Sequence, residues 1–430
     1  MKKLYLCFLV FYTIVVQAQT PNYCIQSRFA ENDLFSSIAI ASDIGVQYGS
    51  AMAYGNILDT LTMDIYYPQQ SIDPLAQRPL VILVHGGGFT AGDKTDFTSY
   101  AEQLARRGYV AATLDYRLGW NSIGTGFPCT GNTTELNLAM YRALQDVKAG
   151  IRYLSFHANA YGIDKNTIFL AGTSAGAYTV MEAAFMDQQE ANLAFPDAYQ
   201  LLGPIDSSSN TFYSNFNIAG VFNWCGGVVD TAIIDANEDI PVLSIHGLLD
   251  NIAPVDTGTF LFCYNALNPY PHVYGPMAIY KRMTNLGLCV ESNYDAAGMH
   301  CIYPSLDYVN YIPSKFTCFF KKILCNQCST DSKVGYNSST CMDLYPNEVQ
   351  NLSLSDVVSI FPNPATDVLY INAKNATAYQ VLNIEGKVIL EGQLDKNWQT
   401  NLAIKSLNKG MYFIQIENEK GWMPFTFIKE

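Results

Sequence analysis

Short apolar runs alternate with longer amphipathic stretches along most of the chain. Residues 80–84 (LVILV) and 110–114 (VAATL) are strand-length runs with almost no polar position, the pattern of strands buried on both faces. Between them residues 99–107 carry apolar positions at helical spacing, and residues 136–153 do so over a longer stretch. Residues 167–171, 220–224 and 241–245 read as further strands, residues 175–186 as a helix, and residues 288–294 as the final strand. Alternation of this kind predicts an α/β fold with a mostly parallel sheet and helices on both faces. Residues 187–217 break the pattern. They are polar, with Phe195, Tyr199, Phe212, Tyr213 and Phe216 scattered through them, and read equally as a lid over a site or as a plain surface excursion.

The pattern changes near residue 345. Residues 346–356 are polar and linker-like, and residues 357–430 form short alternating runs with turn signals and no long helix, which predicts a small β-sandwich. At the other end, Met1-Lys2-Lys3, the apolar run 4–16 and Val16-Gln17-Ala18 read as a signal peptide over residues 1–18. That run is shorter than the ~20 residues that span a bilayer, so no membrane span is expected. Residues 19–345 are then the larger, catalytic domain. Removing the leader takes Cys7 with it and leaves an even number of cysteines in a compartment where disulfides persist, so bridges are expected, with a connectivity that spacing does not give. Cys325-Asn-Gln-Cys328 has no second ligand pair to make a zinc site. A formal net charge of −13 without a basic cluster excludes nucleic acid as a partner.

The chemistry concentrates in two glycine-rich turns. Gly172-Thr173-Ser174-Ala175-Gly176 lies between a strand and a helix, where a sharp turn lifts a serine hydroxyl above the sheet edge. His85-Gly86-Gly87-Gly88-Phe89 follows the strand 80–84. Its bare backbone lets Gly87 and Gly88, together with Ala175 at a helix N-terminus, donate to an oxyanion. A serine needs a base to take its proton and an acid to orient that base, in the order nucleophile, acid, histidine. Asp250, at the mouth of the strand 241–245, is the favoured acid, with Asp256 and Asp295 as rivals. Two histidines precede Ser174 and His246 ends a strand; of the others, His300 in a small-residue loop is favoured over His272 in a proline-rich one. Trp224 and Cys225 are candidate substrate-binding residues of the pocket wall. No metal or organic cofactor is called for.

These residues, with Asp115-Tyr-Arg-Leu118 and Asp146-Val-Lys-Ala-Gly-Ile-Arg-Tyr-Leu154, resemble the esterase/lipase branch of the α/β-hydrolases over residues 60–305. The resemblance implies Ser174 as nucleophile, Asp250 and His300 as its relay, and Gly87, Gly88 and Ala175 as the oxyanion hole. Asp93, Tyr116 and Arg117 then brace the oxyanion loop. The stretch between Asp250 and His300 is longer than in compact members, which implies a reshaped pocket wall. Residues 357–430, with Ile360-Phe-Pro-Asn-Pro364 and Leu407-Asn-Lys-Gly-Met-Tyr-Phe-Ile414, resemble the sorting domain of type IX secretion; a carbohydrate-binding module is the alternative. The expectation is a secreted or cell-surface serine carboxylic-ester hydrolase that meets the type IX machinery and an ester substrate, small or polymer-linked, such as acetyl or feruloyl groups on polysaccharide. Two other functions stay open: a prolyl-oligopeptidase-like peptidase, disfavoured because the chain before residue 80 is too short for a propeller, and a non-catalytic binding protein on a hydrolase scaffold, disfavoured because all three relay positions are filled.

Overall fold

The computed structural model describes residues 23–24, 28–30, 32–121, 128–263, 269–302, 308–335, 341, 359–373, 376–383, 387–394, 399–418 and 421–430. The proposed leader and linker lie outside the described residues. The chain divides into two compact units, Met1–Tyr345 and Pro346–Glu430.

In the first unit the elements run β1 (Ile40–Met52), β2 (Leu58–Pro68), β3 (Arg78–Val84), α1 (Thr98–Arg106), β4 (Val110–Leu114), α2 (Thr133–Phe156), α3 (Ala158–Tyr161), β5 (Ile163–Thr173) and α4 (Ala175–Phe185). There follow α5 (Gln188–Ala194), α6 (Ala198–Leu202), β6 (Ile218–Trp224), β7 (Val242–Gly247), β8 (Thr257–Thr259), β9 (His272–Tyr274), α7 (Pro276–Leu286), β10 (Val290–Asp295), α8 (Tyr308–Leu324) and β11 (Asp331–Val334). One sheet takes the order β1-β2-β4-β3-β5-β6-β7-β10-β11, parallel from β4 onward. A separate hairpin pairs β8 with β9. This is the α/β-hydrolase fold.

The period of two along β3 explains the layers. Leu80, Ile82 and Val84 face a core shared with α2, α4 and α7, whereas Val81 and Leu83 face a second core with α1 and α8. With both faces covered, unpaired polar side chains along residues 80–84 would have nowhere to go, hence the unbroken run there, after an Arg78 that is ion-paired to Asp73. Two elements differ from the sequence reading. The antiparallel edge strands β1 and β2 were not anticipated; β1 is largely solvated and interrupted by two register shifts, so its alternation is blurred. The strand at 288–294 is not the last, because β11 adds parallel to β10 as a short, mostly exposed edge.

Residues 187–217 are a surface excursion. After α5 and α6 the chain runs along the polar side of α2: Gln145 Nε2 donates to Leu202 O at 2.9 Å, Arg152 to Ser208 O at 2.7 Å and Ser209 Oγ to Asp146. Asn210 Nδ2 bonds Tyr48 O and Ala149 O, both at 2.8 Å. The excursion thus satisfies buried polar groups of α2 rather than covering the C-terminal sheet edge.

The second unit pairs β12 (Ser359–Phe361), β13 (Val368–Asn372) and β16 (Gln399–Ala403) in one antiparallel sheet. The other sheet holds β14 (Ala378–Leu382), β15 (Val388–Gln393), β17 (Gly410–Asn418) and β18 (Gly421–Lys429). Leu369, Ile371, Val381, Leu402, Ile414 and Phe427 fill its core. Among the described residues no helix is long and apolar enough to cross a membrane.

All ten cysteines after the leader pair: Cys24–Cys325, Cys129–Cys263, Cys225–Cys301, Cys289–Cys328 and Cys318–Cys341. The Cys325 and Cys328 neighbours go to different partners, which closes off a redox or zinc reading of that spacing.

Inside α4, Glu182 is fully buried and neither carboxyl oxygen has a hydrogen-bond partner among the described residues. Burial pushes its pKa well above the usual 4.5, so the folded state binds a proton that the unfolded state releases. Its contribution is therefore most favourable below pH 4.5 and becomes less so as pH rises toward the folded value. Glu182→Met should raise the melting temperature at pH 8, with the gain shrinking toward pH 4; an equal gain at both pH values contradicts this account.

Candidate active site

The turn from β5 into α4 puts Ser174 at φ 52°, ψ −119°, a conformation a residue with a side chain rarely adopts. Two constraints hold it there. Ser174 N–H donates to Trp224 O of the neighbouring strand at 2.9 Å, and the backbone closes so tightly that a Cβ on Gly172 would lie 2.3 Å from Gly176 O. The glycines are there for that approach. Ala175 opens α4, so its N–H is one of the helix's unpaired N-terminal donors.

Ser174 Oγ lies 2.7 Å from His300 Nε2, and His300 Nδ1 lies 2.8 Å from Asp250 Oδ2. The Asp250 side chain has no exposure, which by itself would push its carboxyl up; hydrogen bonds from His246 and His300 outweigh that and hold it well below the ordinary carboxylate range. Its Oδ1 also accepts from Ile252 N at 2.8 Å and Ala253 N at 2.9 Å. An ionised carboxylate only accepts, so His300 Nδ1 donates and Nε2 of the neutral ring is left to accept from the serine hydroxyl. The rival residues stand elsewhere. Asp256 is exposed, Asp295 Oδ1 takes Ala297 N at 2.8 Å, and His272 is an exposed residue on β9.

Gly86, Gly87 and Gly88 line the same cavity, of about 480 Å³, as Ser174 and His300. Gly87 has φ 103° and a Cβ there would fall 2.0 Å from Ala91 O. The loop is braced from behind. Tyr116 stacks on His85 and its hydroxyl donates to His85 O and Gly86 O, at 3.1 and 3.2 Å. Burial lowers the His85 pKa, keeping that ring neutral in the stack. Trp120 Nε1 donates to Gly88 O at 2.9 Å. Arg117 is buried against Asp146, with Nε 2.9 Å from Oδ2 and its own N–H on the same oxygen at 2.8 Å. Asp93 caps the turn after the loop through Thr95 N at 2.7 Å.

The cavity's apolar wall is Tyr178, Ile252, Ala253, Phe260 and Leu261. Most of it comes from the long stretch between Asp250 and His300. Trp224 and Cys225 do not line it: Trp224 is packed between Tyr100 and Phe222, and Cys225 is fully buried in its bridge to Cys301, which does reach the cavity. Position at a strand end put them near the site, but their side chains point into the core with α1. Cys225, Cys301 and His300 offer ligand atoms within 4.8 Å of one another, yet the two sulfurs are joined to each other and present no thiolate. Sequence reasoning set His246 aside; its Nε2 sits 3.1 Å from Asp250 Oδ2. The spacing of four residues in His246-Gly-Leu-Leu-Asp250 was the available signal. Tyr178 was also missed. Its hydroxyl has no hydrogen-bond partner among the described residues, and the signal was its position one turn beyond Ser174.

Residues 63–241 match the BD-FAE family, an α/β-hydrolase esterase family, and residues 359–430 match the secretion system C-terminal sorting domain. Among curated proteins the chain is similar to a probable isoprenylcysteine alpha-carbonyl methylesterase of Arabidopsis thaliana, 27% identical over 37% of this chain and 28% of that protein. It is similar also to Esterase B1 of Culex pipiens, 26% identical over 39% of this chain and 28% of the relative. The chain thus spans under a third of the length of either relative. Among solved structures, Esterase B of Lactobacillus rhamnosis aligns with a TM-score of 0.43 at 19% identity, over 69% of this chain and 89% of that one.

Replacing Arg117 with methionine should leave the Asp146 carboxylate buried without its cation and cost about 3–5 kcal/mol of stability, read as a lower urea midpoint. A loss under about 1 kcal/mol, the scale of a surface ion pair, counts against the bracing role.

Proposed function

We propose, for a chain that carries a BD-FAE esterase domain of the α/β-hydrolase fold and a type IX secretion sorting domain, that the exported protein hydrolyses carboxylic esters through an acyl-enzyme on Ser174. The observation that carries this reading is the relay Ser174 Oγ, His300, Asp250, with contacts of 2.7 and 2.8 Å.

His300 Nε2 takes the Ser174 proton as Oγ attacks the ester carbonyl carbon. The N–H groups of Gly87, Gly88 and Ala175 hold the negative oxygen of the tetrahedral intermediate. Its collapse breaks the bond to the alcohol oxygen, which leaves with the proton from His300. Water then enters by the same route, giving up a proton to His300, and the acid is released as Oγ recovers its own. A cavity of about 480 Å³ with an aromatic and aliphatic wall suits a short or aromatic acyl group. Export favours acyl groups on extracellular polymers, acetyl or feruloyl esters of polysaccharide among them.

The purified protein should hydrolyse p-nitrophenyl acetate and butyrate, and methyl ferulate, faster than p-nitrophenyl palmitate. Ser174→Ala should abolish turnover, and Asp250→Asn should lower kcat by about 10⁴-fold, as loss of the orienting acid does in another triad hydrolase. Cleavage of peptide p-nitroanilides without ester hydrolysis, or full activity in Ser174→Ala, overturns the reading.

A further inference from the structure

We propose that the Cys225–Cys301 disulfide is the positioning element that holds His300 against Ser174, so that the site is competent only when this bond is closed. This rests on the ester-hydrolase reading above. Cys301 directly follows His300, and Cys225 directly follows Trp224, whose carbonyl oxygen accepts the Ser174 N–H at 2.9 Å. The bridge therefore links the base to the atom that fixes the nucleophile's backbone by the shortest covalent path the fold has. Thr173, the residue before the nucleophile, sets its hydroxyl 3.5 Å from Cys225 Sγ and 3.6 Å from Cys301 Sγ.

Apart from the bond, the described part of the histidine loop is held mainly by backbone contacts, Leu249 N–H on Gly298 O and Met299 N–H on Ile302 O, both at 2.9 Å. Met299 and Ile302, either side of the His300-Cys301 pair, are 47% and 51% exposed. Loops with few buried contacts open at low free energy. Asp250 fixes the ring from one side only. Cys225 at φ 51° and Cys301 at φ 54° also occupy the left-handed region, as Ser174 does. Such conformations persist where the surroundings over-determine them, and here the bond supplies that constraint. The other four bridges include no residue adjacent to Ser174, Asp250 or His300.

The bond is also reachable, since Cys301 lines the cavity. A dithiol's thiolate can attack Cys301 Sγ and expel the Cys225 thiolate, which takes up a proton. The reductant's second thiol then displaces Cys301, leaving two protein thiols and a cyclic disulfide in a two-electron exchange. A chain addressed for export starts in a reducing compartment, where this bond stays open, so the serine remains unactivated until the chain has left it.

The test uses the full chain, its Cys225→Ala/Cys301→Ala double variant and, as a control, Cys289→Ala/Cys328→Ala. In the first variant kcat on p-nitrophenyl butyrate should fall about 10²-fold, the scale of an ångström's misplacement, with KM little changed. The rate at which diisopropyl fluorophosphate labels Ser174 should fall in parallel. The control should lose melting temperature while kcat stays within about twofold of the parent. A kcat within about threefold of the parent in the first variant overturns the proposal. Should that variant not fold, the folded parent is treated with dithiothreitol. Activity and labelling should then disappear in step with alkylation of Cys225 and Cys301 and return on reoxidation; full activity with both thiols alkylated overturns the proposal. A parent that labels at Ser174 but hydrolyses no ester sinks the ester reading, while the labelling rates still decide the role of the bond.

Discussion

A serine held in the left-handed region is the constraint that organises the larger unit. Such a backbone costs on the order of 1–3 kcal/mol and reverts unless its neighbours prevent it. Here the neighbours are the parallel register of β5 on β6, which brings Trp224 O to the Ser174 N–H, and the contact of Gly172 with Gly176. Both need β5 and α4 locked in the core, which is why these elements are buried almost throughout. With the elbow fixed, everything else the site uses arrives from the same edge of the sheet. The glycine loop 86–88 follows the end of β3, Asp250 the end of β7 and His300 the end of β10. Parallel strands end together, so short loops suffice to bring these residues within hydrogen-bond reach of one another.

Much of this was legible in the sequence because its cause is local. A strand buried on both faces is apolar at nearly every position, and residues 80–84 of β3 and β4, with Thr113 its exception, show it. A sharp strand-to-helix turn has to carry small residues, so the turn at Ser174 could be read from its neighbours alone. Chain order and the poverty of histidines pointed to Asp250 and His300, which the structure brings into one line of contacts with Ser174. What stayed hidden has its cause elsewhere in the chain. β1 needs β2 for its identity, and its pattern is broken by bulges; β11 is short and exposed and reads as loop. Trp224 and Cys225 were placed near the site by their strand end, but which side of the sheet a side chain takes at the end of a strand is settled by packing. Cysteine pairing is a matter of distance in space, and all five bridges reach beyond the nearest cysteine in sequence.

Residues 187–217 show the same limit from the opposite side. Scattered aromatics in a polar segment suggest a cover for something, and the segment does cover something: Arg142, Gln145, Asp146 and Arg152 on the buried face of α2. These groups need partners once water is gone, and the backbone carbonyls of residues 202–210 supply several of them. Asp146 then joins the excursion, through Ser209, to Arg117 and so to the brace behind the oxyanion loop. The segment contributes to the site as support, at a distance from the cavity.

The surroundings of Asp250 tie its contact with His300 to the cavity wall. The Asp250 carboxylate has no contact with solvent, and its charge persists because both oxygens have polar partners: Oδ1 the amides of Ile252 and Ala253, Oδ2 the His300 ring, with His246 Nε2, itself on Ala253 O, 3.1 Å away. The two residues whose amides hold the Asp250 carboxylate also line the cavity. Any change at 252 or 253 that moves the backbone therefore reaches Asp250, and through it the tautomer of His300. Phe260 and Leu261 carry no such burden. They sit beyond Asp250 next to the β8–β9 hairpin, which is fastened by Cys129–Cys263 and by Phe260 N on Pro271 O at 2.9 Å. The width of the pocket is thus free to vary at 260 and 261, on a fastened hairpin, while the part of the wall that supports the acid stays fixed.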